Sequence, residues 1–289
     1  MDASADSTSP NGSARYVLHP GSGARAPIIR LVGVHKSFGS QHVLDGVNLD
    51  IYPAETTVIM GPSGCGKSVM LKHIVGLLRP DAGEVYFDGR RIDNLRERDL
   101  IGVRLQIGLL FQMSALFDSM TVEENISFPL IEHTSLSHAE RRERVARALE
   151  TVDLAGAQNK LPSQLSGGQR KRVGLARAIV LSPRVVLYDE PTTGLDPIRS
   201  DGINELVIKL KKTLGVTSLV VTHDLVSAKK VADRVVMLLG GKVAADGTYH
   251  DLEHNPDPRI RHFVTGQYAK EDDDAMPAPA PPTALEAQT

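Results

Sequence analysis

Short apolar runs alternate with segments of helical periodicity through the middle of the chain. The runs IIRLVGV (28–34), TTVIM (56–60), QIGLLF (106–111), RVVLYD (184–189), TSLVVT (217–222) and RVVMLLG (234–240) are rich in Val, Ile and Leu. They read as strands, several of them buried. SVMLKHIVGLL (68–78), AERRERVARALETV (139–152) and DGINELVIKLKKTL (201–214) space their apolar residues as one face of a helix. Strands interleaved with helices predict an α/β fold around a largely parallel sheet. Residues 113–165 carry no convincing strand and read as a helical insertion, and no internal repeat is evident.

The two ends differ from this middle. Residues 1–27 are rich in Ser, Ala, Gly and Pro, and the chain closes on KEDDDAMPAPAPPTALEAQT. Neither stretch offers a periodic apolar face, so 1–27 and 268–289 are expected to be disordered tails around a domain at 28–267. Composition then narrows the partners. The 289 residues hold 33 Lys plus Arg against 35 Asp plus Glu, a net charge of −2. That balance argues against nucleic-acid binding through a basic face. One cysteine fits a reducing compartment. No apolar run approaches the roughly 20 residues that cross a bilayer, and the acidic start MDASADSTSP lacks a signal-peptide core. A soluble cytosolic protein is expected.

The chemistry starts at GPSGCGKS, which follows the strand TTVIM and precedes a helix. Gly61, Pro62, Ser63, Gly64, Cys65, Gly66, Lys67 and Ser68 fit G-x-x-x-x-G-K-[ST] in the strand–loop–helix context that the motif requires. Glycines let backbone N–H groups turn onto phosphate oxygens, and the helix N-terminus adds its positive end. Lys67 is expected to reach the β- and γ-phosphates and Ser68 to hold Mg²⁺. The run VVLYDE ends in Asp189 and Glu190, carboxylates at the close of a buried strand, where a cation offsets their cost. Asp189 is expected to hold Mg²⁺, and Glu190 to orient or deprotonate the attacking water. His223, just after SLVVT, is placed to contact the γ-phosphate. Cys65 lies near a helix N-terminus, which lowers a thiol pKa; a reactive, ATP-protected thiol is expected, with a shielded one as the alternative.

A second glycine turn, LSGGQ at 165–169, follows a hundred residues later. Alone it reads equally as a helix start capped by Ser166. Together, and in this order, the phosphate loop, LSGGQ, YDEPTTGLD and THD resemble the ATP-binding subunits of ABC transporters over about residues 28–250. The resemblance implies a P-loop NTPase core, an N-terminal antiparallel β part and an α-helical subdomain at 113–165. It implies a homodimer in which Ser166, Gly167, Gly168 and Gln169 close on the ATP held by the other subunit, with Asp196 touching that subunit. Phe38 matches the aromatic that stacks on adenine, a core Phe being the other reading. Gln112 matches the glutamine that couples Mg²⁺ and the attacking water to the membrane partner. Val69 departs from the many relatives with a second hydroxyl there, and the lost α-phosphate bond costs about 1 kcal/mol.

The stretch LLFQMSALFDSMTVEENISFPLIEHT (109–134), with GKSVMLKHIVGLLRPD and NPDPRIRHFVTG, is similar to the Mla-type lipid-transport ATPases. That likeness implies phospholipid transport between membranes, a polytopic permease of MlaE type and an MCE-type lipid-binding partner. It also implies a location on the cytoplasmic face of the inner membrane. A segment after NPDPR packing on the sister subunit, and a small STAS-domain partner, stay open. Met113, Leu116, Phe117 and Met120 are read as a permease-coupling surface, or as plain helix core. The runner-up functions are a polar amino-acid importer and a soluble ABC ATPase of DNA repair or translation. The latter usually carries a coiled-coil insertion or a second cassette. His250, His254 and His262, and the run Arg170-Lys171-Arg172, are read as solvated surface, the run alternatively as facing ATP.

Overall fold

The computed structural model describes residues 25–267; the stretches 1–24 and 268–289, most of the two expected tails, lie outside the described residues. The chain opens with a long hairpin, β1 (Ile29–Phe38) and β2 (Gln41–Ile51), before β3 (Thr56–Met60) and α1 (Lys67–Ile74). Next come β4 (Ala82–Phe87), β5 (Arg90–Arg91), α2 (Glu97–Arg104) and β6 (Ile107–Leu110). Three helices follow, α3 (Val122–His133), α4 (His138–Thr151) and α5 (Gly167–Ile179), then β7 (Val185–Asp189), α6 (Pro197–Leu214) and β8 (Thr217–Val221). The described chain closes through α7 (Leu225–Val231), β9 (Arg234–Leu239), β10 (Lys242–Gly247), α8 (Tyr249–Glu253) and α9 (Pro258–Thr265).

Two sheets form. The central one runs β10-β9-β3-β8-β7-β6, parallel except for β10 at its edge. The other, β2-β1-β4-β5, is antiparallel. The central strands are apolar throughout because both their faces are covered. Val58, Met60, Val186, Tyr188, Val220, Val235 and Met237 join a core shared with α3 to α6. Their neighbours Ile59, Val185, Leu187, Leu219, Val221, Val236 and Leu238 join a second core with α1 and the antiparallel sheet. Each such side chain contributes roughly 1.5–3 kcal/mol when fully buried.

The helices α3 and α4 start on capping boxes, Thr121 with Glu124 and Ser137 with Glu140. No strand falls between 113 and 165. IIRLVGV lies in the antiparallel sheet, the expected N-terminal antiparallel β part, and its strand continues to Phe38. One difference from the sequence reading stands out. The strands β4 and β10 escaped the apolar-run criterion because charged, polar or glycine positions interrupt each of them. Among the described residues no helix is long and apolar enough to cross a membrane.

Candidate functional site

Parallel register brings three strand ends to one level. Ile59 of β3 and Asp189 of β7 both pair with Val221 of β8, so the loops leaving these strands emerge side by side. This carboxyl edge is where open α/β sheets bind ligands. The loop after β3 leaves no room for a side chain at Gly61 or Gly66. A Cβ at Gly61 (φ +152°) would stand 2.3 Å from the Leu238 carbonyl oxygen, and one at Gly66 (φ +103°) 2.8 Å from that of Val43. Lys67, buried, folds back over the loop and donates to the carbonyls of Gly61 (2.8 Å) and Pro62 (2.9 Å).

Cys65 corrects the expectation of a reactive thiol. It is 3% exposed, and burial pushes its pKa up, with Lys67 opposing more weakly. Tertiary desolvation outweighs the local helix end.

The acidic pair sits across from this loop. Ser68 Oγ donates to Asp189 Oδ1 at 3.0 Å. Burial raises the Asp189 pKa, the Ser68 bond opposes it, and the Glu190 charge adds to the rise. Glu190 is buried in the left-handed region, φ 48°. That conformation is costly for a residue with a side chain. It is fixed by a bond from Glu190 N–H to the Val221 carbonyl at 2.9 Å. His223 Nδ1 lies 2.9 Å from Glu190 Oε1, while the Thr193 and Thr222 hydroxyls donate to Oε2 at 3.3 and 3.4 Å. The structure thus brings together two bonded pairs, Ser68–Asp189 and Glu190–His223, joined through the neighbouring residues Asp189 and Glu190.

The LSGGQ turn is built differently. Ser166 N-caps α5, accepting from Gln169 N–H, and Gln169 Oε1 accepts from Ser166 N–H. Beside it, the position of a Cβ on Gly167 lies 3.3 Å from Leu195, and one on Gly168 lies 3.5 Å from Arg199. Asp196 caps α6 and pairs with Arg199 at 3.2 Å. Phe38 is exposed at the end of β1 with Lys36 Nζ 5.6 Å over its ring, so the core reading fails for it. Met113 is 87% exposed and Phe117 43%, which excludes core packing for both, whereas Leu116 packs partly on the core. Together with Ile101, Phe111 and Phe128, Phe117 lines a groove of about 500 Å³ between α2, β6, α3 and α5. Asn125 holds the rim, accepting from Phe117 N–H and donating to the carbonyls of Phe117, Met120 and Thr121.

The structure also corrects the solvated reading of Arg170-Lys171-Arg172 at Lys171, while Arg170 is exposed as expected. Lys171 is buried and donates to the carbonyls of Gln112 and, at 3.4 Å, Glu190; Arg172 ties to the Val152 carbonyl. A sequence signal existed, since Lys171 stands three residues after Gly168 and four before Leu175 on one buried stripe of α5.

A family model described as ABC transporter matches residues 44–193. A "probable ribonucleotide transport ATP-binding protein mkl" of Mycobacterium leprae is 41% identical over 239 residues, 83% of this chain and 69% of its own. The "intermembrane phospholipid transport system ATP-binding protein MlaF" of Escherichia coli is 40% identical over 241 residues, 83% of this chain and 90% of its own. Among solved structures, a dimeric post-hydrolysis ATP-binding cassette bound to ADP and Pi superposes with a TM-score of 0.71 at 38% identity, covering 76% of this chain and 98% of its own. Motif order, geometry and likeness agree: the chain belongs to the ABC transporter family, as an ATP-hydrolysing, ATP-binding subunit.

Proposed function

We propose that two copies of this chain enclose two ATP molecules and drive a membrane permease that moves phospholipid between membranes. The observation that carries the catalytic half is the cluster Ser68–Asp189–Glu190–His223 at the exit of three adjacent strands. Lys67 exchanges its two loop carbonyls for phosphate oxygens, a stronger charge-assisted contact. Ser68 Oγ and Asp189 Oδ1, adjacent oxygens in a part-buried site, suit Mg²⁺, with Gln112 as a further ligand. When bound, the ion neutralises charge on the phosphates. Glu190 takes a proton from the attacking water, and His223 and the two threonine hydroxyls hold its carboxylate for that transfer. Phe38 offers an exposed ring to adenine. Ser166, Gly167, Gly168 and Gln169 of one copy face the nucleotide of the other, with Asp196 at the same seam; the dimeric relative supports this arrangement.

The exposed apolar rim around Phe111, Met113 and Phe117 suits a permease element. Residues 28–267 form the ATPase domain in this reading, on the cytoplasmic face of the inner membrane, with an MlaE-like permease, an MCE-type protein and a STAS-domain protein as partners. A charge placed at Met113 or Phe117 should uncouple the permease and leave basal ATPase largely intact. Lys67→Ala should lose ATP binding. Glu190→Gln should keep it and turn over at least ~10²-fold slower, the scale of a lost general base. Near-normal turnover in Glu190→Gln would remove that residue from its role.

The name of the mycobacterial relative favours a second cargo, ribonucleotide. Deleting the gene decides between them. A disturbed membrane lipid distribution with intact nucleotide and amino-acid uptake supports the lipid reading, and the reverse result replaces it.

A further inference from the structure

Lys171 is a buried ammonium with no carboxylate within ion-pair distance among the described residues; its contacts are main-chain oxygens. Burial lowers its pKa, with the charges of Asp189 and Glu190 opposing. Such a group costs stability unless something needs it there. Its two partners are the carbonyls of Gln112 and Glu190, the residues whose side chains the proposed reaction uses. Both loops need holding. Glu190 is left-handed at φ 48°, and Ser114 and Ala115, just beyond Gln112, are left-handed at φ 63° and 45°.

The next turns of α5 grip the same segment. Arg177 donates to the Ser114 and Ala115 carbonyls at 2.9 and 2.8 Å. Between the two basic residues, a Cβ on Gly174 would stand 3.0 Å from Leu110 Cδ1 and 3.3 Å from both Cβ and O of Ser114, so the segment lies close against the helix. Lys171 also lies within a turn of Ser166–Gln169 on one helix, which carries its Nζ along with the LSGGQ end.

We propose that Lys171 is a positioning residue for ATP hydrolysis. It fixes the Gln112 segment against the Glu190 turn, and it ties both to the helix that carries LSGGQ. The inference rests on the roles assigned above to Gln112 and Glu190. It places no part of Lys171 on the nucleotide, so binding and turnover should separate when it is changed.

The test uses the full chain with MgATP. Lys171→Met keeps the length of the side chain and removes its donors; Lys171→Gln keeps a neutral, shorter donor. Both should melt cooperatively and bind ATP within ~3-fold of the parent, while kcat falls at least ~10-fold in Lys171→Met and less in Lys171→Gln, as expected for a misplaced catalytic group. Adding Lys171→Met to Gln112→Ala should cost less than ~3-fold more, because the side chain it positions is already gone. A folded Lys171→Met with kcat within ~2-fold of the parent overturns the proposal, as does a penalty that multiplies in full with Gln112→Ala. Failure of both variants to fold makes Lys171 a structural residue and overturns it too. Glu190→Gln in the same assay separates the two levels. If it turns over normally, the site reading itself has failed; if it is slow while Lys171→Met is fast, only the inference has.

Discussion

The chain carries two glycine-rich turns at helix starts, and they differ in what needs the glycines. At Gly61 and Gly66 the fold itself demands them, because a Cβ would drive into the backbone oxygens of Leu238 and Val43 at 2.3 and 2.8 Å and the φ angles are positive. At Gly167 and Gly168 the backbone is helical, and the nearest atoms are side-chain carbons of Leu195 and Arg199 at 3.3 and 3.5 Å. Among the described residues outside α5 no backbone atom bars a Cβ at either glycine, and helix propensity favours alanine. The first turn is closed by its own chain, with Lys67 folded onto its carbonyls. The second has no such backbone constraint, which fits the role proposed for it on the other copy's nucleotide.

The largest expected effect tests that contrast directly. Lys67→Ala disables the first turn and Gly168→Asp puts a carboxylate where a γ-phosphate docks, so each homodimer should be inactive. Mixing the two leaves one composite site with both lesions and one intact, and ATPase should return, up to half per heterodimer if the sites act independently. With Glu190→Gln added to both chains, heterodimers should trap one ATP and elute as dimers. No ATP-dependent dimer at any ratio, with subunit exchange confirmed, would end the two-turn account.

Alanine scanning separates the turns by stability. Gly61→Ala should destabilise the chain by about 2–4 kcal/mol, the range of a strained, clashing backbone site. Gly168→Ala should leave denaturant midpoints unchanged or raise stability by up to about 1 kcal/mol. Its ATPase should nonetheless fall if, as proposed, this turn closes on the other copy's nucleotide, since the added methyl would then stand in its approach. Equal destabilisation at both glycines would erase the difference between the turns.

Legibility followed the same line. The first turn was readable because its chemistry is contiguous: strand, loop, Lys67 and helix lie within a dozen or so residues, and sterics fix their conformation. The parallel strands were readable because burial on both faces makes them apolar runs. What escaped was decided at a distance. Lys171 reads as a surface charge beside Arg170 and Arg172, and only the packing of α5 onto the Gln112 and Glu190 loops buries it. The strands β4 and β10 were hidden by their mixed faces. Asp189 and Glu190 were legible as a pair, but the left-handed turn at Glu190 and its Thr193 and Thr222 contacts were not.

The first turn's side of the site also stores unfavourable charge. Burial raises the Asp189 pKa in the folded chain, so its carboxylate opposes folding once pH climbs above the unfolded value. The protonated form's advantage is full below that value and lost as pH rises through the folded one. Asp189→Asn keeps an oxygen for Ser68 and drops the charge. Thermal melts without Mg²⁺ should therefore show the variant more stable than the parent at neutral pH, the gap closing on acidification. Its MgATP hydrolysis should fall at least ~10²-fold. A parent chain that is the more stable of the two at neutral pH would contradict the sign.

The smallest effect concerns Cys65, inside the first turn. Two forces compete for its thiol: the adjacent helix start and Lys67 favour the thiolate, while enclosure by the second core favours the thiol. At 3% exposure enclosure wins, and Lys67 Nζ, 4.0 Å from the sulfur, is already engaged with the carbonyls of Gly61 and Pro62. A thiol reagent at neutral pH should label the folded chain slowly, with a rate set by opening of the turn and abolished as a difference in denaturant. Saturating MgATP should slow labelling only modestly, since the closed turn already shields the sulfur. Cys65→Ser should change turnover by less than ~3-fold, as the side chain belongs to the buried cluster that includes Ile59 and Leu238 and has no assigned role in the reaction. Fast labelling of the folded chain, abolished by ATP, would show that this turn opens freely on its own. The first turn would then be no more self-contained than the second.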